Sequence, residues 1–163
     1  MISPKMESAI NEQINKELYS EYLYLAMAAH FEAQNLPGFG KWMKVQASEE
    51  RGHAMKFWEY LYDRNGKVVL KAIEAPPSTF GKPREVFEEV LVHERKVTAS
   101  ILELNDLAVA EKDAATAILL HWFITEQVEE EKNAFDIIEK LKMSGDQSFG
   151  LLFMDQHVLG ERK

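Results

Sequence analysis

The sequence predicts an all-α fold: a four-helix bundle with one long crossover between its second and third helices, and a short fifth helix at the C-terminus. Three observations lead there. Four long stretches carry apolar residues at helical spacing, and helix-start and helix-stop residues bound each one. The gaps between them are short except one, Lys67 to Pro83, which holds Pro76, Pro77 and Pro83 and is long enough to run the length of a bundle. At 163 residues, the chain suits one domain, spanning 1–163, with a sizeable core.

The first helix is expected over about 4–34. Ser3 stands as a cap and Pro4 in the first turn, and Asn35-Leu36-Pro37-Gly38 ends the pattern. The second runs over about 39–64 and stops at Asn65-Gly66. The crossover reads as extended, with Val68-Val69-Leu70 as a candidate short strand. Helices three and four cover about 84–111 and 114–143, and a fifth over about 147–159 follows Ser144-Gly145.

Each long helix carries one stripe fit for burial. On the first it is Ile10, Ile14, Glu17, Tyr24, Ala28 and Phe31; on the second, Phe39, Met43, Gln46, Glu50, His53, Phe57 and Leu61. On the third it is Phe87, Val90, Glu94, Val97, Ile101 and Ala108; on the fourth, Leu120, Phe123, Gln127, Glu130, Ala134, Ile138 and Leu141. The ends of these stripes are apolar and their middles are not. Glu50 and His53 share a face at i, i+3, and so do Gln127 and Glu130. A shift of 77 residues carries Glu17, Glu50 and His53 onto Glu94, Gln127 and Glu130, and Glu49 onto Glu126. Equivalent polar groups therefore fall in both halves of the bundle.

Burying unpaired carboxylates costs on the order of several kcal/mol each, and no lysine or arginine lies on these stripes. A bound cation is the remaining counter-charge. Four carboxylates, one imidazole and one amide oxygen suit a pair of iron or manganese ions. The pattern for such bundles is one Glu from each of two helices plus Glu-x-x-His from each of the other two. Glu50-Arg51-Gly52-His53 fits it, whereas Gln127-Val128-Glu129-Glu130 departs. Tyr24 lies two turns beyond Glu17 on the same face, placed to hydrogen-bond or to donate an electron. Glu49, Glu126 and Glu129 flank the stripes, as a solvated face or as a further, more accessible cation site.

Composition narrows the function classes. Absence of cysteine excludes disulfides, thiolate zinc sites and cysteine nucleophiles. A formal net charge of −8 argues against nucleic acid as a partner. Apolar runs too short to span a bilayer argue against a membrane. Without an apolar signal core in MISPKMESAINEQ, the expected address is cytoplasmic. Leu23 and Met27, off the main stripe, and Val68 and Val69 in the crossover are expected to bury between subunits.

The chain resembles ferritins of the bacterial and archaeal non-haem type. The likeness rests on Asn11 to Ser20 with Tyr24, on Ser48-Glu49-Glu50-Arg51-Gly52-His53-Ala54, on His93-Glu94, and on Glu126 to Glu131, and it extends over essentially the whole chain. It implies a hollow shell of 24 subunits that takes up Fe(II), oxidises it with dioxygen or peroxide at a di-iron ferroxidase centre, and stores an Fe(III) oxide mineral. By that resemblance Glu17, Glu50 and His53 hold one iron, and Glu50 bridges to a second held by Glu94 and Glu130, with Gln127 close by. Glu49, Glu126, Glu129 and Glu130 match a third iron site, and Tyr24 the tyrosine beside the centre. Haem is not expected, because Arg51 stands where bacterioferritins carry a haem-ligating methionine and the second Glu-x-x-His is missing. Ala117 and Leu120 stand where animal ferritins line their three-fold pores with carboxylates. A small di-iron oxidase or peroxidase of the rubrerythrin-like class, without storage, is the alternative, although the cysteine-ligated iron domain usual in that class cannot form here.

Overall fold

The computed structural model describes residues 1–145 and 147–162. Four long helices, α1 (Pro4–Ala33), α2 (Pro37–Asp63), α3 (Pro83–Ala110) and α4 (Ala114–Ser144), form the bundle, and α5 (Ser148–Met154) follows. Local chemistry sets the ends. Ser3 Oγ accepts from Met6 N at 3.0 Å and Pro4 needs no donor there, so α1 starts cleanly. Asn35, Asn65 and Lys112 adopt left-handed φ of 57–58° just past α1, α2 and α3, which turns the chain out of each helix. Asp113 caps α4 by accepting from Thr116 N at 3.2 Å, and its carboxylate also takes Arg64 at 3.0 Å. The end of α2 is thereby tied to the start of α4.

α1 packs on α2 and α3 on α4, and the crossover joins the two pairs. Two apolar clusters fill the ends of the bundle. One gathers Phe31, Phe39, Met43, Phe87, Ile138 and Leu141; the other gathers Ile10, Ile14, Phe57, Leu61, Ile101 and Phe123. Every residue of the four expected stripes is buried. The polar middle of each stripe thus lies in a layer between two dry clusters.

Two expectations need correction. No strand forms among the described residues, because α1 side chains take the crossover's backbone groups: Asn11 donates to Lys67 O (2.9 Å) and accepts from Val69 N (2.7 Å). Leu23 and Met27 bury inside the chain, in the cluster with Phe31 and Phe87, since α1 covers its neighbours with a wider stripe than one seam. Of the four residues expected to meet a partner, Val69 stays exposed, and with it on α1, α2 and the crossover are Tyr22, Leu25, Met55, Tyr62, Leu70 and Ile73. Leu120, like the rest of the α4 stripe, has no exposed surface to speak of and packs in the core.

The fifth helix changes character partway. After Met154 the chain continues as a π-helical turn, Asp155–Leu159. The wider turn sends Asp155 inward, where it accepts from Phe39 N at 2.9 Å and so caps the start of α2. Gly38 lets the two backbones meet, because a Cβ there would stand 1.8 Å from Asp155 O. Gly38→Ala is expected to destabilise the protein by about 1–3 kcal/mol through forced backbone shifts. Differential scanning calorimetry should show a melting point roughly 2–10 °C lower; an unchanged value would mean that the contact is not close-packed in solution. No helix among the described residues is long and apolar enough to cross a membrane.

Candidate metal centre

Midway along the bundle the stripes converge on a layer of buried polar side chains. Glu17 comes from α1, Glu50 and His53 from α2, Glu94 from α3, and Gln127 and Glu130 from α4; each is 5% exposed or less. One ligand atom from each of Glu17, Glu50 and His53 can be chosen so that all lie within 4.8 Å of one another. The same holds for His53, Glu126 and Glu130. His53 therefore belongs to both groups, with Nδ1 3.3 Å from Glu50 Oε2 and Nε2 3.8 Å from Glu126 Oε1.

Hydrogen bonds account for much of the layer. Gln46 Nε2 donates to Glu50 Oε1 and to Glu130 Oε2, both at 2.9 Å, and so joins α2 to α4. Gln127 Nε2 donates to Glu94 Oε2 at 3.1 Å, and the Tyr24 hydroxyl donates to Glu94 Oε1. Gln127 thus turns toward α3 rather than toward His53. Gln13 Nε2 donates to Glu17 Oε1 at 2.8 Å, and behind it Lys16 donates to Ser100 (2.6 Å), which donates to Gln13 Oε1 (2.5 Å). Lys16 and Ser100 also line a cleft of 890 Å³ between α1 and α3, shared with Tyr19 and His93. His93 turns from the carboxylates to Ser20 (2.8 Å) and packs edge-on to Tyr24. Burial, reinforced by Lys96, holds its pKa down to about 4.

Among the described residues, one buried side-chain atom has no hydrogen-bond partner. Glu17 Oε2 is buried without a hydrogen bond, which costs about 1–3 kcal/mol unless something else takes it up. The electrostatics point the same way. Burial, then the charge of Glu50, pushes the Glu17 carboxyl up to about 8. Burial, then Glu94 and Glu50, pushes Glu130 up to about 8. Glu50 and Glu94 rise as well, with burial as the main cause, although the Tyr24 and Gln127 bonds pull Glu94 back. Protons hold this layer together when no cation is present. Multivalent cations bound by the same oxygens would replace those protons and satisfy Glu17 Oε2. Four carboxylates with one imidazole and one amide fit iron or manganese.

The flanking acids separate. Glu126 reaches His53, whereas Glu49 pairs with Arg162 from beyond the π turn. Glu129 is exposed and belongs to neither ligand group. Gln13 and Gln46 are site residues that the stripes and the Glu-x-x-His spacing do not single out. Their signal was present, since each stands four residues before a stripe glutamate, at Gln13/Glu17 and Gln46/Glu50. Arg162 left no such signal.

Residues 7–144 match the ferritin-like domain family. A bacterial non-heme ferritin of Bacteroides fragilis is 46% identical over 162 residues, covering 99% of this chain and all of that protein. One of Campylobacter jejuni is 36% identical, covering 97% of this chain and 95% of that protein. Among solved structures, an open-pore ferritin from the hyperthermophilic archaeon Archaeoglobus fulgidus superposes with a TM-score of 0.97 at 48% identity, covering 100% of this chain and 99% of the other. An engineered closed form of the ferritin of that organism gives 0.98, also at 48%, with the same coverage.

Proposed function

The chain belongs to the ferritin family, and from that membership we propose that it is an iron-storage ferroxidase of the cytoplasm. Fe(II) is the substrate, oxidised at the polar layer, and the Fe(III) product is stored as an oxide mineral inside a shell of 24 copies. The observation that carries the reading is the buried carboxylate layer, with Glu17 Oε2 lacking a hydrogen-bond partner and no lysine or arginine on the stripes around it. Glu17, Glu50 and His53 hold one Fe(II); Glu94 and Glu130 hold the second, with Glu50 between them and Gln127 at hand. Glu126 and Glu49, with Glu130 behind them and Glu129 outermost, receive a third.

Each part of the chain then has a task. Anionic oxygens favour Fe(III) over Fe(II), which lowers the cost of giving up an electron. Two irons side by side supply two electrons, enough to reduce one dioxygen to the level of peroxide. The apolar clusters above and below keep bulk water out. Tyr24, its phenol pushed well above the ordinary range by burial and by Glu94, stays protonated and keeps one Glu94 oxygen in place.

Anaerobic loading with Fe(II), followed by air, tests the reading. Storage takes up hundreds of irons per shell, a discrete di-iron oxidase stops at about two per chain, and a metal-free bundle binds none. The exposed apolar groups Tyr22, Leu25, Met55, Leu70 and Ile73 supply the surface for assembly. Light scattering across ordinary salt should therefore give one large particle. A monodisperse species at the mass of a single chain would refute both shell and storage.

A further inference from the structure

Beyond the π turn the chain reaches back to the edge of the polar layer, and the residue it delivers there is Arg162. Its guanidinium pairs with Glu49 and donates through Nη2 to Gln46 Oε1 at 2.9 Å. It also lies 4.2 Å from the centre of the Trp42 ring. Only 18% of the side chain is exposed. This placement is anchored, because Asp155 caps α2, Lys41 donates to Gly160 O at 2.8 Å, and Leu159 is buried.

The consequence runs through Gln46. With its carbonyl oxygen taken by Arg162, Gln46 presents its NH₂ to Glu50 and Glu130. Both are carboxylates that the proposed function assigns to iron. The guanidinium therefore neutralises one outer carboxylate and, through one amide, fixes the donors facing two inner ones. A dication arriving at Glu49 meets a positive group already seated there.

We propose that Arg162 is a tethered counter-ion that holds the outer carboxylate position in the metal-free chain and competes with the third cation for Glu49. Filling the third position requires the guanidinium to leave Glu49, which also frees Gln46 to turn its oxygen toward the layer. The C-terminal segment thereby sets when a third cation binds, after the inner pair rather than with it. This rests on the ferroxidase reading above, both for the identity of the inner pair and for Glu49 as part of the third position.

Zn(II), which cannot be oxidised, is the probe, titrated by calorimetry into the assembled full-length protein and into Arg162→Gln and Arg162→Lys. Glutamine removes the charge and keeps a hydrogen-bonding side chain; lysine keeps the charge and loses the planar fork. Arg162→Gln should bind the third equivalent about tenfold more tightly than wild type. Arg162→Lys should stay within about threefold of wild type for all three. A purely structural role predicts the opposite ordering, with weaker binding or equal damage in both variants, and that result overturns the proposal. So does an unchanged third affinity in Arg162→Gln while the first two equivalents bind normally. If the first two equivalents fail to bind in wild type as well, the di-metal reading itself has failed and this inference falls with it.

Discussion

Glu94→Ala is expected to abolish the fast oxidation of the first two irons per chain, slowing it by about a hundredfold or more. Glu94 is the only carboxylate that α3 brings into the layer, and both its oxygens are already oriented, one by Tyr24 and one by Gln127. No other group on α3 can replace it, because Val90 and Val97, the nearest stripe residues on either side, are apolar. Glu129→Ala supplies the contrast. That side chain is exposed and lies about 100° around α4 from its neighbours Val128 and Glu130. Its loss should spare the fast phase and alter only the slower oxidation that begins once the pair has filled. Stopped-flow absorbance at two irons per chain, then at many, reads both. If Glu94→Ala oxidises its first two irons at the wild-type rate, the layer is not the catalytic centre.

The metal-free protein is expected to lose stability as pH rises from about 5 to 8, against the usual behaviour of carboxylates. The location of the protons sets the sign. Glu17 and Glu130 titrate near 8 when folded and near 4.5 when not, so between those values the folded chain holds protons that the unfolded chain has released. Their stabilisation is complete below about 4.5 and is lost by about 8, at up to about 1.4 kcal/mol per pH unit for each group. Metal-free samples should therefore melt several degrees lower at pH 8 than at pH 5.5, by roughly 5–10 °C. Glu17→Gln, which mimics the protonated carboxyl, should flatten the slope. Added Zn(II) should raise the melting point more at pH 8 than at pH 5.5, because a bound dication replaces protons that are held less firmly there. A metal-free melting point that climbs steadily from pH 5 to 8 would mean that these carboxylates are already ionised and solvated.

Much of the site was legible in one dimension because its signals are local. Proline, asparagine and cap residues punctuate the chain at positions where the backbone has little choice, and stripes at helical spacing mark the buried face. Spacing alone puts Glu17, Glu50, His53, Glu94, Gln127 and Glu130 at one level, since length and register along a helix convert directly into height in a bundle. The extended Val68 to Leu70 segment was less legible. Whether it pairs as a strand depends on what lies beside it, and Asn11 answered that question from another element.

Residue order by itself determined the four helices, the long crossover and the polar layer, because each arises from spacing within a single segment. Tertiary structure decided which oxygens are shared and which is left over. Gln46 meets Glu130 across 84 residues, Gln13 meets Ser100 across 87, and Glu17 Oε2 has no hydrogen-bond partner among the described residues. It also decided that Leu23 and Met27 turn inward, and that Arg162 arrives at Glu49 from 113 residues away. Those outcomes depend on how far apart the helix axes lie, how they are rotated, and where a π turn aims the last residues. No periodicity along the chain encodes these quantities, because they are set only when every helix packs against its neighbours at once.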